Sequence, residues 1–362
     1  MSNDRAHALL SASGAVRWIN CPPSAQLEEQ FPDTSSDFAR EGTLAHEIAE
    51  LKMRKKFVEP MAQSTFTRRL NKLKKHELYQ SEMLGYTDVY VDYITDVAMS
   101  YKTRPHIAVE LRLDFSHIAP EAFGTGDCVI IGGDTLHIVD FKYGKGVPVY
   151  AEDNPQMMLY ALGALEAYSL LYSINNIKMV IVQPRLDNIS EWEITRTELE
   201  AWGDKIKPIA KLAHAGEGDF KAGDWCRFCR ARAQCRARAD NHTALEVFGG
   251  KKPPLLTDDE VGDVLQKAQT LKKWVADIEE YALSALLQGK DITGFKAVEG
   301  RSNRKFEDVD KAFEAVKLSG VDEALLYERK PITLTALQKL MGKAQFDKVL
   351  DGFVVKPPGK PT

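Results

Sequence analysis

No stretch of this chain approaches the run of about twenty apolar residues that a membrane-spanning helix needs, so neither a helical membrane protein nor a membrane partner is expected. The opening residues, MSNDRAHALLSASG, lack the basic segment and apolar core of a secretory signal, which points to a cytoplasmic location. Internal repeats and low-complexity blocks are absent. An excess of positive charge is also missing: the net charge of −4 argues against a protein that coats DNA through bulk charge, while leaving room for a local basic groove. Cysteine is scarce, at five residues in 362. What remains is an ordinary globular composition, 44% hydrophobic and 28% charged, long enough for one large domain and a smaller one.

The few cysteines are not scattered. Cys226, Cys229 and Cys235 form a C-x2-C-x5-C cluster, and Cys21 stands alone near the other end of the first domain. Four thiolates can close a metal or iron–sulfur site. Reducing conditions favour that over disulfides for closely spaced cysteines. Cys128 is the odd one, inside an apolar run, and reads as a core residue.

Hydrophobic periodicity orders the rest. Helices are expected over Glu41–Lys56 and Glu82–Tyr101, then strands over His106–Leu113, Asp127–Ile131 and Thr135–Lys142. A helix over Asp153–Tyr172, strands at Lys178–Gln183 and Glu191–Thr195, and a helix over Thr197–His214 complete a mixed α/β unit spanning 1–248. The segment 249–256, most of it within the run FGGKKPP over Phe248–Pro254, reads as a linker. Beyond it, 257–362 reads as a helical region, with a long amphipathic helix over Thr257–Gln288 and shorter ones near Val309–Leu318 and Leu334–Leu350.

The most informative contiguous run is Asp127-Cys-Val-Ile-Ile-Gly-Gly-Asp-Thr-Leu-His-Ile-Val-Asp-Phe-Lys142. Gly133-Asp134 suits a two-residue hairpin loop. Gly132 then pairs with Thr135, and counting outward Asp127 falls opposite Asp140. Like charges so placed are destabilising, and a divalent cation such as Mg2+ or Mn2+ removes the penalty. Lys142 shares the face of Asp140, at the end of a row carrying Leu136 and Ile138. A lysine there can polarise an attacking water or steady a negative transition state. From the hairpin alone, a solvated Asp and Lys at a strand end is an equally open reading. His46 and Glu50 lie four apart on one helical face, and His46 can supply a nitrogen ligand. Gln156 and Tyr160 form another such pair on the helix after the hairpin.

Taken in order, Gly42-Thr43…His46, Gly124-Thr-Gly-Asp127, Asp140-Phe-Lys142 and Gln156-x-x-x-Tyr160 resemble the RecB-like branch of the PD-(D/E)XK nuclease superfamily. The four cysteines, one before the core and three after it, resemble the iron–sulfur nuclease domains of AddB-type helicase–nuclease subunits and CRISPR-associated RecB-like exonucleases. The opening run Ser11-Ala-Ser-Gly-Ala-Val-Arg-Trp-Ile-Asn-Cys21-Pro and, less specifically, Val298-Glu-Gly-Arg-Ser-Asn-Arg304 are similar to a phage- and prophage-encoded group of RecB-like proteins, which places the protein in a bacterial host cell.

The resemblance implies an α/β fold with a restriction-endonuclease-like core, a mixed central sheet flanked by helices, and a helical C-terminal region. It implies that His46, Asp127, Asp140 and the backbone carbonyl of Phe141 hold Mg2+ or Mn2+, that Asp127, Asp140 and Lys142 are catalytic, and that Gln156 and Tyr160 position a DNA strand. Glu110, on the preceding strand, becomes a candidate accessory acid. Cys21, Cys226, Cys229 and Cys235 would hold a [4Fe–4S] cluster, since zinc sites more often come as two short paired halves; zinc is the alternative. Trp225 and Phe228 are candidates to shield that group, and five nearby arginines to balance thiolate charge or touch phosphates. The implied activity is metal-dependent DNA exonuclease in phage recombination or repair. The alternative is a non-catalytic DNA-binding or scaffold protein whose C-terminal helices recruit a single-strand-annealing recombination protein.

Overall fold

The computed structural model describes residues 8–32, 37–243, 257–300, 306–327 and 332–355. The segment 249–256, read as a linker, lies outside the described residues, as does 301–304. The chain divides into two compact units after Lys296. The first unit is built on β1 (His106–Asp114), β2 (Phe123–Gly132), β3 (Thr135–Phe141), β4 (Asn176–Gln183) and β5 (Asn188–Thr195), lying in that spatial order. All neighbours are antiparallel except β3 and β4, which are parallel. A parallel pair needs a crossover, and the helix Pro155–Tyr168 lies between these two strands in the chain. The mixed α/β architecture expected from the sequence is the one observed.

Strand alternation sorts the core into two layers. On β3, Leu136 and Ile138 join one cluster, and Val139 and Phe141 the other. The first layer is closed by Leu159 and Leu162 of the crossover helix and by Ile206 of the helix Arg196–Ala215. The second is closed by Ile48 and Met53 of the helix Asp37–Met53 and by Tyr90 and Ile94 of the helix Glu82–Ser100. Each fully buried aliphatic side chain stabilises by roughly 1.5–3 kcal/mol over its exposed state. The sheet end that carries Asp127 and Asp140 is therefore gripped from both sides.

The helices of this unit, in chain order, are α1 (Ala15–Asn20), α2 (Ser24–Glu28), α3 (Asp37–Met53), α4 (Gln63–Leu73), α5 (Glu82–Ser100), α6 (Pro155–Tyr168), α7 (Arg196–Ala215), α8 (Arg236–Thr243) and α9 (Asp258–Leu287). α4, where no helix was expected, fully buries no residue but turns Leu70 and Leu73 onto the second core layer. A π-helical turn, Arg54–Val58, extends α3 before it. α9 is the long helix grouped with the C-terminal region on sequence; by its contacts it belongs to the first unit. The second unit holds α10 (Val309–Leu318), α11 (Leu334–Met341) and α12 (Lys343–Val349). The single helix expected over Leu334–Leu350 breaks at Gly342, whose φ of +78° no helix accommodates.

Candidate active site and cysteine cavity

The β2–β3 ladder starts at Gly132↔Thr135, with Gly133 at φ +59°, and its last paired rung is Cys128↔Val139. One step further out, Asp127 stands beside Asp140. Here the Phe141 N–H donates to Asp127 Oδ2 at 2.7 Å, so a side chain takes over from the ladder. The β1–β2 ladder is interrupted on the same row: Val109 pairs with Cys128 and Leu111 with Gly126, with Glu110 facing Asp127 between them. Glu110 has φ +51°, a left-handed conformation that costs a side-chain-bearing residue about 1–2 kcal/mol. Three carboxylates thus occupy one row across three adjoining strands.

α3 lays His46 over this row. Its Nδ1 is 3.3 Å from Asp127 Oδ1, and its ring packs edge-on against Phe141 with centroids 5.2 Å apart. Ligand atoms of His46, Glu110 and Asp127 all lie within 4.8 Å of one another. One imidazole nitrogen and two carboxylates form a donor set suited to a divalent cation. The three residues line a small pocket with Glu50, Tyr90 and Phe141.

Asp140 stands outside that trio and turns to Lys142, whose Nζ is 2.9 Å from Asp140 Oδ2. That contact lacks hydrogen-bond geometry, so a nearly buried carboxylate oxygen has no hydrogen bond among the described residues. The expected ligands His46, Asp127 and Asp140 therefore converge only in part. The physical reason is that the Lys142 ammonium supplies the counter-charge of Asp140, and Glu110 takes the place beside His46 and Asp127.

The electrostatics follow from crowding. Burial pushes Glu110 up to about 7, and the charge of Asp127 adds to it. Burial and then Asp127 also raise Asp140, with Lys142 opposing. For Asp127 burial is outweighed by the His46 ring and the Phe141 N–H, which hold it below the usual carboxylate range. His46 is the mirror case: burial disfavours its cation, but Asp127 and Asp140 raise its pKa above the ordinary value. A cation seated among these groups relieves the repulsion and displaces the imidazole proton.

Asn154 caps α6 by accepting from the N–H groups of Gln156 and Met157, with Pro155 in the first turn. This fixes Gln156 at the site. Its Oε1 accepts from Lys142 Nζ at 3.2 Å, and its Nε2 donates to Asp140 Oδ1 and Tyr160 Oη, both at 3.4 Å. Tyr160 is buried, and a Cβ on Gly124 would meet its Cε1 at 2.7 Å. The glycine three residues before Asp127 thus makes room for the tyrosine ring. Gln156 touches the Asp140–Lys142 pair directly, and Tyr160 is joined to it through Gln156.

All four spaced cysteines line one cavity, together with Leu27, Phe220 and Trp225. The Lys221 N–H donates to Cys21 Sγ and the Gly223 N–H to Cys226 Sγ, each at 3.4 Å. Burial raises the Cys21 and Cys226 thiols and pushes Cys229 up to about 12. Four free thiols on one cavity, with amide donors aimed at two sulfurs, fit a thiolate-bound group. Phe228 does not shield it: the ring is 64% exposed, turned away by the 3-10 turn Asp224–Phe228, and Trp225 lines the cavity instead. The arginines are largely committed. Arg232 and Arg238 both pair with Asp277 of α9, and Arg230 Nη1 donates to the Glu28 carbonyl at 3.4 Å. Nothing in the sequence spacing links Asp277 to this segment. Cys128 is fully buried in the second core layer, as expected.

A family model described as "Protein of unknown function (DUF2800)" matches residues 7–362. The chain belongs to that family. Among solved structures, the crystal structure of SSO0001 is similar at 13% identity and a TM-score of 0.25, covering 60% of this chain and 95% of its own. A likeness at that level carries no argument about this DUF2800 protein. Among its described residues no helix is long and apolar enough to cross a membrane.

Proposed function

We propose that this chain is a metal-dependent DNA exonuclease of the RecB-like PD-(D/E)XK type, acting in phage DNA recombination or repair. The observation that carries the reading is the row Glu110–Asp127–Asp140, with His46 above it and Lys142 at its end. His46, Glu110 and Asp127 would hold Mg2+ or Mn2+, with Asp140 and the Phe141 carbonyl as further oxygen donors. The cation supplies charge stabilisation and a water acidic enough to attack a phosphodiester. Lys142 stays protonated, because Asp140 and Asp127 outweigh the effect of burial. Its ammonium then faces the negative charge that develops on the phosphate. Gln156 holds Lys142 and Asp140 at a fixed spacing. Tyr160, pushed up to about 12 by burial and then Asp140, remains a neutral hydrogen-bond donor for the strand.

The cysteine cavity supports a structural [4Fe–4S] cluster. One early cysteine and three later ones favour the cluster over zinc, whose sites more often come as two short paired halves.

Labelled DNA incubated with Mn2+ or with EDTA tests the activity. Degradation is expected only with Mn2+, and Asp140→Ala and Lys142→Ala each abolish it while leaving visible cluster absorbance intact. Cleavage surviving both substitutions would overturn the site. A second reading, a scaffold that recruits a single-strand-annealing partner, is favoured by the exposed Leu265, Leu283 and Leu287 of α9. It predicts no metal-dependent degradation at all.

A further inference from the structure

Between Leu51 and His76 the chain carries nine lysines and arginines against a single acid, Glu59, in a protein whose net charge is −4. This is the turn Arg54–Val58 and the helix α4. Arg68, Lys72 and Lys75 follow one another at i, i+4 and i+7 and are all exposed. None of them, nor Lys74, makes an ion pair among the described residues; only Arg69 approaches Glu59, at 3.9 Å. Like charges at such spacing repel. Among the described residues no ion pair offsets the repulsion at Arg68, Lys72 and Lys75.

The location gives the stripe a use. α4 packs against α3, the helix that carries His46. Arg69 and Lys72 line a surface hollow with Arg54 and with Glu47, Glu50 and Glu59, of which Glu59 faces Arg69. Glu50 also lines the pocket of His46, Glu110 and Asp127, so hollow and pocket adjoin through one residue. Glu50 is itself bound to Arg54 at 2.6 Å, so its charge does not oppose an incoming anion.

We propose that the α3–α4 hairpin is the backbone track for DNA, with Arg68, Lys72 and Lys75 contacting successive phosphates of the strand that leads to the carboxylate row. This rests on the nuclease reading for the identity of the polyanion. The track reads charge and not bases. Phe66, the aromatic residue of α4, is half-buried with Lys55 Nζ over its ring at 4.2 Å, so it is poorly placed to stack on a base. Binding through it is therefore independent of sequence and steeply dependent on salt.

The test is fluorescence anisotropy of a labelled DNA oligonucleotide with the full-length protein in EDTA, between about 50 and 200 mM salt. The triple variant Arg68→Gln, Lys72→Gln, Lys75→Gln is compared with wild type, with circular dichroism melting to check the fold. Losing three phosphate contacts makes the slope of log K against log salt shallower by about 2 to 3. An unchanged slope in a folded triple variant overturns the proposal, and so does a wild-type protein that binds no DNA. Vesicles of phosphatidylserine and phosphatidylcholine form a second arm; capture of vesicles in place of DNA also overturns it. Cleavage with Mn2+ is scored separately. A wild type that binds DNA through the stripe but never cuts it retains the track and loses the nuclease reading; cutting with an unchanged slope does the reverse.

Discussion

Glu110 faces Asp127 on a row where neither residue completes the strand ladder, and Glu110 reaches it through a left-handed backbone at φ +51°. Strain of this kind persists only where surrounding structure enforces it, and it clusters at working sites. It yields a test by reversal of a rule. In a strand interior glycine is normally the poorer residue by about 0.5–1 kcal/mol relative to alanine. At position 110 the order inverts, because Glu110→Ala keeps the strained conformation and Glu110→Gly relieves it. Urea unfolding without metal is expected to rank the glycine variant about 1 kcal/mol above the alanine variant. The opposite ranking would mean that the left-handed kink is wrong.

The same crowding predicts a response to divalent cations. Glu110 and Asp140 are both raised by burial and by the charge of Asp127. An ion bound to the folded state alone stabilises it by about 2.7 kcal/mol at a hundred times its dissociation constant. Thermal melting with Mn2+ is expected to show a rise of that order, and Asp127→Asn to remove it. A melting temperature insensitive to Mn2+ in wild type would dissociate these residues from metal binding.

How much of this was legible beforehand varies with the physics involved. The opposition of Asp127 and Asp140 could be counted from Gly133-Asp134, because strand register is periodic and a tight turn sets it. The strands were legible for the same reason, and so was the burial of Cys128. The kink at Glu110 was not: a glutamate carries no mark of a left-handed conformation, and only the partner strand reveals it. α4 was legible in principle and was passed over: Phe66, Leu70 and Leu73 form an apolar stripe at i, i+4 and i+7, but it is short and sits among many charges. The turn of Asp140 toward Lys142 depends on which counter-charge is nearest, a question of ångströms that spacing alone does not answer.

The cysteine cavity separates its two candidate occupants by stoichiometry. Anaerobically purified protein is expected to be coloured and to carry about four irons per chain. Cys229→Ser loses both iron and colour. Because Cys21 and the later cysteines are remote in the chain but line one cavity, the bound group would tie two distant segments together, and the variant also loses thermal stability. One zinc per colourless chain would instead select the alternative.

His137 offers a control on stability that is remote in kind from the acidic row. It is 6% exposed, its Nε2 lies 2.6 Å from Tyr101 Oη, and its Nδ1 has no hydrogen-bond partner among the described residues. Burial, helped by Lys178 and opposed by Glu191, lowers its pKa to about 4. The ring is thus neutral in the folded protein where the unfolded chain, with a pKa near 6.5, already binds a proton. Stability tied to this group is complete above about pH 6.5 and falls as the pH drops toward 4, by up to about 3 kcal/mol. His137→Gln keeps an acceptor for Tyr101 and cannot titrate. Urea midpoints of the two proteins should therefore differ in slope between about pH 6.5 and 4 and run parallel above it. Parallel curves throughout would show that the ring is accessible to protons in the folded state.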